Sequence, residues 1–219
     1  MTGRDPRAVA AGYDAAAAGY DARHDDDDAT RARTRRIDRA LLDAIGGAAR
    51  VLEIGVGTGR LLAQVRAPLR LGVDVSAGML AHARARGLEV VRADGHALPL
   101  RDRSVDAVIA GKGALRYLDP ARALPELARV LAPGGTLAFH LYGRPWSRRP
   151  AAPAPALWQP RTLAELDAPL AAAGFTIVAR TAWRSIRVWP YALRVPVAIA
   201  TRAPLWSHVA IVARLSARR

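Results

Sequence analysis

The sequence predicts an α/β fold, a doubly wound and mostly parallel sheet of seven strands with helices on both faces. Three observations carry this expectation. From Arg50 onward, short apolar runs alternate with helical stretches, the pattern of βαβ units feeding a parallel sheet. A glycine-rich turn, Gly55 to Gly59, joins the first apolar run to the next helical stretch. The 219 residues are 51% apolar, and although 48 of them are alanine, the larger apolar side chains suffice for one core.

Each element follows from a local rule. Ile37, Leu41, Leu42 and Ile45 form the stripe of an amphipathic helix closed by Gly46-Gly47. The acidic run Asp25 to Asp28 precedes it, where negative charge favours a helix N-terminus. Adjacent aspartates on one turn do not converge on one ion, so no metal site is expected there. Val51 to Ile54 is the first strand, with a helix near Arg60 to Val65. Leu69 to Val75 is the second strand, and Ser76 caps a helix ending at Gly87. Leu88 to Ala93 and Val105 to Ala110 are the third and fourth strands. Asp119-Pro120 opens the next helical region, but Pro125 inside it predicts a break, with the helix proper starting there. Pro133-Gly134-Gly135 is a turn before the fifth strand, Thr136 to Leu141. The proline-rich stretch 143–160 reads as a loop or extended arm. Thr162 to Glu165 is a capping box for a helix that runs to Ala173 and stops at Gly174. Phe175 to Ala179 begins a sixth strand, Trp189 to Leu205 reads as irregular with a short helix, and Ser207 to Leu215 is the last strand.

Composition removes several classes. There is no cysteine, hence no disulfide, thiolate metal site or cysteine nucleophile. The first residues lack the apolar stretch of a secretory signal, and no apolar run is long enough to span a bilayer, so a cytoplasmic protein is expected. Net charge is +14, with Lys112 the sole lysine. Residues 143–219 hold 12 basic groups against 2 acidic ones. Such a segment suits an anionic substrate, nucleic acid or a membrane surface, and a solvated arginine-rich face accounts for the same numbers.

The most informative stretch is Glu53-Ile54-Gly55-Val56-Gly57-Thr58-Gly59, spanning a strand, a turn and a helix start. Glycines there let the backbone bend sharply and approach a ligand. Asp74, at the end of the next strand, lies 19 residues beyond Gly55, and a carboxylate so placed accepts hydrogen bonds from ribose hydroxyls. The spacing departs from the dinucleotide fingerprint, because the third glycine comes one residue early and Arg60 takes the fingerprint's last position. It resembles instead the first motif of class I S-adenosylmethionine-dependent methyltransferases. The segment from Gly72 through Asp74, Val75 and Ser76 to Met79-Leu80 is similar to the second motif, which implies that Asp74 holds the ribose and the apolar pair flanks the adenine. Asp94-Gly95 and Leu98-Pro99 resemble the third, where the aspartate lies near the adenine amino group. Asp102 to Val108 resembles the entry to the fourth strand, Ala128 to Leu137 the signature before the fifth, and Ala172 to Phe175 the entry to the sixth. Tyr20-Asp21 is similar to the segment that closes over the cofactor in small quinone-biosynthesis members. The resemblance covers roughly residues 13–180. It implies a Rossmann-like fold, S-adenosylmethionine as cofactor, and Tyr20, Glu53, Gly55, Gly57, Gly59, Asp74, Val75, Met79, Asp94, Gly95 and Gly111 as the cofactor-binding residues.

On the acceptor side, the resemblance places the pocket beyond the fourth and fifth strands, at Gly111-Lys112-Gly113 to Arg116-Tyr117 and at His140 to Arg144. Many small-molecule members carry a histidine near Arg116-Tyr117. Lys112, Arg116 and Tyr117 make a more cationic rim, suited to an acidic acceptor. No Asn-Pro-Pro-Tyr-like tetrapeptide follows the fourth strand, which weighs against methylation of DNA bases. His24, His82, His96, His140 and His208 are candidate bases, and His24 and Tyr117 are the catalytic candidates best placed. The expectation is methyl transfer to a small molecule by a single domain, 1–219, with N-terminal lid helices at 1–49, a cofactor-binding core at 50–142 and a basic part at 143–219 that completes the sheet. The alternatives are an RNA or protein methyltransferase using the basic third, with nucleic acid as the less favoured partner, and a non-catalytic cofactor-binding homologue.

Overall fold

Five strands, β1 (Arg50–Ile54), β2 (Leu69–Asp74), β3 (Val90–Arg92), β4 (Val105–Ala110) and β5 (Leu131–Tyr142), pair in parallel in the order β3-β2-β1-β4-β5. The computed structural model describes residues 5–25, 28–142, 164–188, 191–196 and 208–217, without the side chains of 23–29 and 183–196. Beyond β5 the pairing turns antiparallel, through β8 (His208–Leu215), β6 (Phe175–Val188) and β7 (Tyr191–Pro196). The seven strands expected are present as β3-β2-β1-β4-β5-β8-β6, and β7 adds an eighth at the edge.

Strand alternation assigns the two faces. In β4, Ala107 and Ile109 join a cluster with Ile37, Leu41 and Ile45 of helix α3 (Asp28–Ile45) and with Leu80 and Ala83 of α4 (Ala77–Ala85). Val108 and Ala110 join the opposite cluster, with Leu124, Leu127 and Val130 of α5 (Pro120–Val130) and Leu170 of α6 (Asp167–Ala172). Two further helices, α1 (Pro6–Ala16) and α2 (Tyr20–Asp25), precede α3, and α1 packs on α4. No helix among the described residues is long and apolar enough to cross a membrane.

The expected caps form. Ser76 Oγ accepts from the Met79 N–H at 3.1 Å, and an Asp119 carboxylate oxygen accepts from the Ala121 N–H at 3.0 Å with Pro120 in the first turn. Arg129 of α5 donates to the carbonyls of Leu98 and Leu100, while Glu126 accepts from the Leu98 N–H, so α5 anchors the loop after β3.

Four expectations are corrected. Helix α5 runs through Pro125 without a break, because Pro125 lies on the exposed face, where water can satisfy the Ala121 carbonyl that the proline frees. The 133–135 turn is absorbed into β5 as an irregularity, since the partner of Val105 is Leu131 and that of Ala107 is already Thr136. The helix near Arg60 is a single 3₁₀ turn, Leu62–Gln64. Within the segment read as irregular, Tyr191–Pro196 is a strand, because β6 runs on to Val188 and offers it an edge. The proline-rich stretch 143–160 and Thr162 of the capping box lie outside the described residues, as do Asp26 and Asp27 of the acidic run.

Gly59 has a packing role. It holds φ at +85°, and a β-carbon there would meet the Leu88 side chain and stand 3.3 Å from the Ala83 Cα. Gly59→Ala is expected to lower unfolding free energy by about 2 kcal/mol in a denaturant titration, through strain and overpacking, while the affinity of the folded protein for ligand changes little.

Candidate active site

The cleft lies at the carboxyl ends of β1, β2 and β4, where the strand order reverses between β1 and β4. Its empty space, counted out into the open mouth, is about 1040 Å³. Of the residues expected to hold the cofactor, Tyr20, Glu53, Gly55, Gly57, Asp74, Val75, Met79, Asp94, Gly95 and Gly111 all line it. Gly59 does not, for the packing reason above. Leu80, expected beside Met79, is turned into the core cluster under α3 and α4.

The glycine turn is shaped by need. Gly55 and Gly57 have φ of +64° and +54°, a region that costs any residue with a β-carbon. A β-carbon on Gly55 would also stand 2.5 Å from that of Ala114. The Gly57 N–H donates to Asp74 Oδ2 at 2.8 Å and the Ser76 N–H donates to Oδ1 at 2.9 Å, so one carboxylate ties the turn to the start of α4. Burial raises the Asp74 pKa, and those backbone bonds oppose the shift.

Glu53 is buried at 3% exposure and its Oε2 has no hydrogen-bond partner among the described residues. Burial drives its pKa well above the usual range, Lys112 pulls it down, and Asp38 pushes it up. Lys112 lines the same cleft in a left-handed backbone conformation, φ 50°, between Gly111 and Gly113. Burial lowers its pKa, while Asp38, Glu53 and Asp21 favour its charge. Asp38 of α3, also buried, has its pKa raised by desolvation and leaves Oδ1 without a partner among the described residues.

The N-terminal helices add Tyr13 and Asp14, which the sequence motifs do not single out, to the expected Tyr20. Tyr13 and Tyr20 both line the cleft, and the Tyr13 hydroxyl donates to that of Tyr117 at 3.0 Å. Burial raises both the Tyr13 and Tyr20 pKa values, so both hydroxyls stay protonated. Asp14 accepts from Ser76 Oγ at 2.5 Å and from the Gly78 N–H at 2.8 Å. Asp21 accepts from Thr58 Oγ1 at 2.7 Å and from Arg86 at 2.5 Å. A signal for this is present in the sequence: Tyr13-Asp14 and Tyr20-Asp21 repeat at seven residues, two turns of helix. Each pair sends its tyrosine into the cleft, while Asp14 binds the start of α4 and Asp21 binds the side chains of Thr58 and Arg86.

The acceptor side is rearranged. Tyr117 and Lys112 line the cleft, whereas Arg116 does not. Arg116 is only 8% exposed, with its guanidinium 5.0 Å from the Tyr117 ring centroid and 5.7 Å from that of Tyr142. It forms no ion pair with a described carboxylate, and its Nε–H has no partner among the described residues. Of the expected cationic rim, Lys112 and Tyr117 stay on the cleft, and Arg116 is a buried cation behind an aromatic wall, because tyrosine faces hold the guanidinium. His140, placed at the pocket edge by the sequence, is fully buried beside His208, ring nitrogens 3.3 Å apart, and does not line the cleft. Burial, then His208 and Arg33, hold it neutral. His82 lies on α4, away from the cleft lining. His24 falls within α2, but its side chain lies outside the described ones, as do Gly143 and Arg144 altogether.

Residues 52–139 match the family described as methyltransferase domain. An uncharacterised protein of Mycobacterium bovis is 39% identical over 137 residues, which cover 59% of this chain and 47% of that one. The demethylmenaquinone methyltransferase of Thermus thermophilus is 44% identical over 115 residues, 48% of this chain and 51% of that one. The chain thus spans about half the length of the curated relatives it matches. A solved S-adenosylmethionine-dependent methyltransferase of Thermotoga maritima superposes with a TM-score of 0.63 at 23% identity, over 83% of this chain and 89% of that one, a likeness of fold.

Proposed function

We propose that the chain, whose residues 52–139 match the methyltransferase domain family, transfers a methyl group from S-adenosylmethionine to a small-molecule acceptor that carries an anionic group. The observation that carries this reading is the pair of buried carboxylates on one cleft. Glu53 Oε2, without a partner among the described residues, suits a ligand ammonium, and Asp74, held by two backbone N–H groups, keeps lone pairs for a vicinal diol. When bound, S-adenosylmethionine supplies an activated methyl on a sulfonium.

The chain's own contribution is alignment and exclusion of water. Gly55 and Gly57 let the backbone approach the ligand. Tyr13, Tyr20 and Tyr117 line the cleft with aromatic rings, an environment that tolerates a sulfonium charge by cation–π attraction. The aspartates of the two Tyr-Asp pairs hold those faces in place, which makes the N-terminal helices a lid. Neither ring nitrogen of His140 reaches the cleft, so an acceptor that loses a proton needs Tyr117, His24 or solvent as its base.

The anionic character of the acceptor is supported by Arg116, a buried guanidinium beside the Tyr117 ring with no carboxylate partner among the described residues. An unpaired buried cation favours an anion nearby. Arg116→Ala is expected to raise the acceptor KM about tenfold with the S-adenosylmethionine KM unchanged, a loss of one unit of log affinity for a charge acting through a low-dielectric wall. Tritiated methyl transfer to hydroxybenzoic acids, against the matching neutral phenols, tests this. An unchanged KM, or a preference for the neutral phenols, refutes it. The whole reading is tested by thermal shift with S-adenosylmethionine, S-adenosylhomocysteine and NAD, and a shift with NAD alone would overturn it.

A further inference from the structure

We infer that His96 is a positioning residue: it holds Asp94 so that the cleft accepts a purine bearing an exocyclic amino group and rejects one bearing an oxo group at the same place. The inference deepens the proposed function and rests on it, since it concerns the nucleoside of the same ligand.

His96 has both ring nitrogens committed. Its Nδ1 lies 2.7 Å from Asp94 Oδ1, and its Nε2 lies 2.9 Å from the Asp119 backbone nitrogen. A backbone N–H can only donate, so Nε2 must be the acceptor and the ring proton sits on Nδ1, donated to Asp94. The neutral tautomer is thus set by the backbone of the α5 cap. Neither nitrogen is left to take a proton from a substrate, which removes His96 from the candidate bases. The His96 side chain is 4% exposed, so water does not compete for these bonds.

The consequence falls on Asp94. Its Oδ1 accepts twice from His96, from the ring and from the backbone N–H at 3.0 Å. Its Oδ2 makes no hydrogen bond among the described residues, although Asp94 lines the cleft and is 29% exposed. A carboxylate whose first oxygen is saturated offers the ligand one oriented oxygen, and an ionised carboxylate only accepts. A donor across from Oδ2 is bound, and an acceptor there is repelled. Such a mismatch leaves a buried polar group unpaired, which is how polar sites reject close analogues. The loop that carries His96 is itself rigid, because Glu126 and Arg129 of α5 hold its next residues. Asp119, on the far side of the ring, directly follows Tyr117-Leu118 of the acceptor wall, so one imidazole ties both walls together.

The test compares S-adenosylhomocysteine with S-inosylhomocysteine, which differ at that amino group, by titration calorimetry on the wild type, His96→Phe and His96→Gln. The wild type is expected to prefer the adenosyl ligand about 30-fold, His96→Phe to bring that preference below about 5-fold, and His96→Gln, whose amide can both donate and accept, to retain part of it. A residue that only supported the fold would weaken both ligands equally and leave their ratio intact, and that outcome overturns the inference, as does a wild type without preference. If His96→Phe does not fold, the ratio in His96→Gln alone decides: wild-type discrimination overturns the inference and a reduced ratio supports it. A wild type that binds neither ligand overturns the proposed function and this inference together, whereas binding of both with an unaltered ratio overturns only the latter.

Discussion

Asp74→Ala is expected to abolish the thermal stabilisation that S-adenosylmethionine and S-adenosylhomocysteine give the wild type. The carboxylate stands between two backbone donors, Gly57 and Ser76, that belong to different elements. Removing it deletes the acceptors available to a ribose diol and also releases the glycine turn from the start of α4. Hydrogen bonds to a charged group contribute about 1.5–3 kcal/mol each, so losing two implies at least about a hundredfold weaker binding. Asp74→Asn offers no rescue, because its amide NH₂ would face one of the two backbone N–H groups, donor against donor. The unliganded fold should survive. Asp74 is a buried acid whose pKa is raised by desolvation, so its charge is not a source of stability. Circular dichroism and the melting temperature without ligand check that, and calorimetric titration of S-adenosylhomocysteine measures the loss. Affinity within threefold of the wild type would show that Asp74 is not the ribose anchor.

Residues whose role is local are legible in the sequence. The Ser76 and Asp119 caps depend on neighbours two or three residues away, and both form as expected. Strands β1 and β4 emerge from short apolar runs between turn residues, because central parallel strands are buried on both faces. Gly55 and Gly57 line the cleft as their motif implies, whereas Gly59 sits in the same motif but packs on Ala83 and Leu88, partners that spacing cannot reveal. Pro125 misleads because a proline's cost depends on whether its face of the helix is wet, a tertiary property. Arg116 misleads in the same way: arginine is usually solvated, and only the convergence of Tyr117 and Tyr142 buries it. The Tyr-Asp pairs are the hardest part of the site to read from the chain, because their aspartates bond partners as far as 65 residues away. Their seven-residue spacing is visible, but two copies of a dipeptide specify a common face and not what lies beneath it.

Glu53 couples ligand binding to pH, with a sign that two kinds of experiment can read. Its carboxyl is buried with its pKa raised well above the usual value, so it holds its proton in the folded state over a range where the unfolded chain has lost it. In that window the folded state binds more protons, and stability falls as pH rises. The groups facing it are Lys112 from the turn after β4, Asp38 from α3 and Asp74 from β2; Lys112 favours the carboxylate and the two aspartates oppose it. A ligand ammonium beside Oε2 acts as a second Lys112 and favours the ionised form, so binding expels the proton. Affinity for S-adenosylhomocysteine is therefore expected to rise with pH through this window, up to the point where the ligand's own α-amino group begins to lose its charge. Glu53→Gln keeps the shape and removes the titration. Its affinity should be about 10- to 100-fold lower and flat with pH below that limit, the loss of one charge-assisted hydrogen bond. Its unfolding free energy should exceed that of the wild type increasingly as pH rises, because a neutral amide carries no penalty for ionising in the core. Methylthioadenosine, which lacks the amino-acid part, should bind wild type and Glu53→Gln alike at every pH. Equal losses for both ligands would instead mean that Glu53 shapes the glycine turn through its bond from the Leu62 N–H and does not read the ammonium.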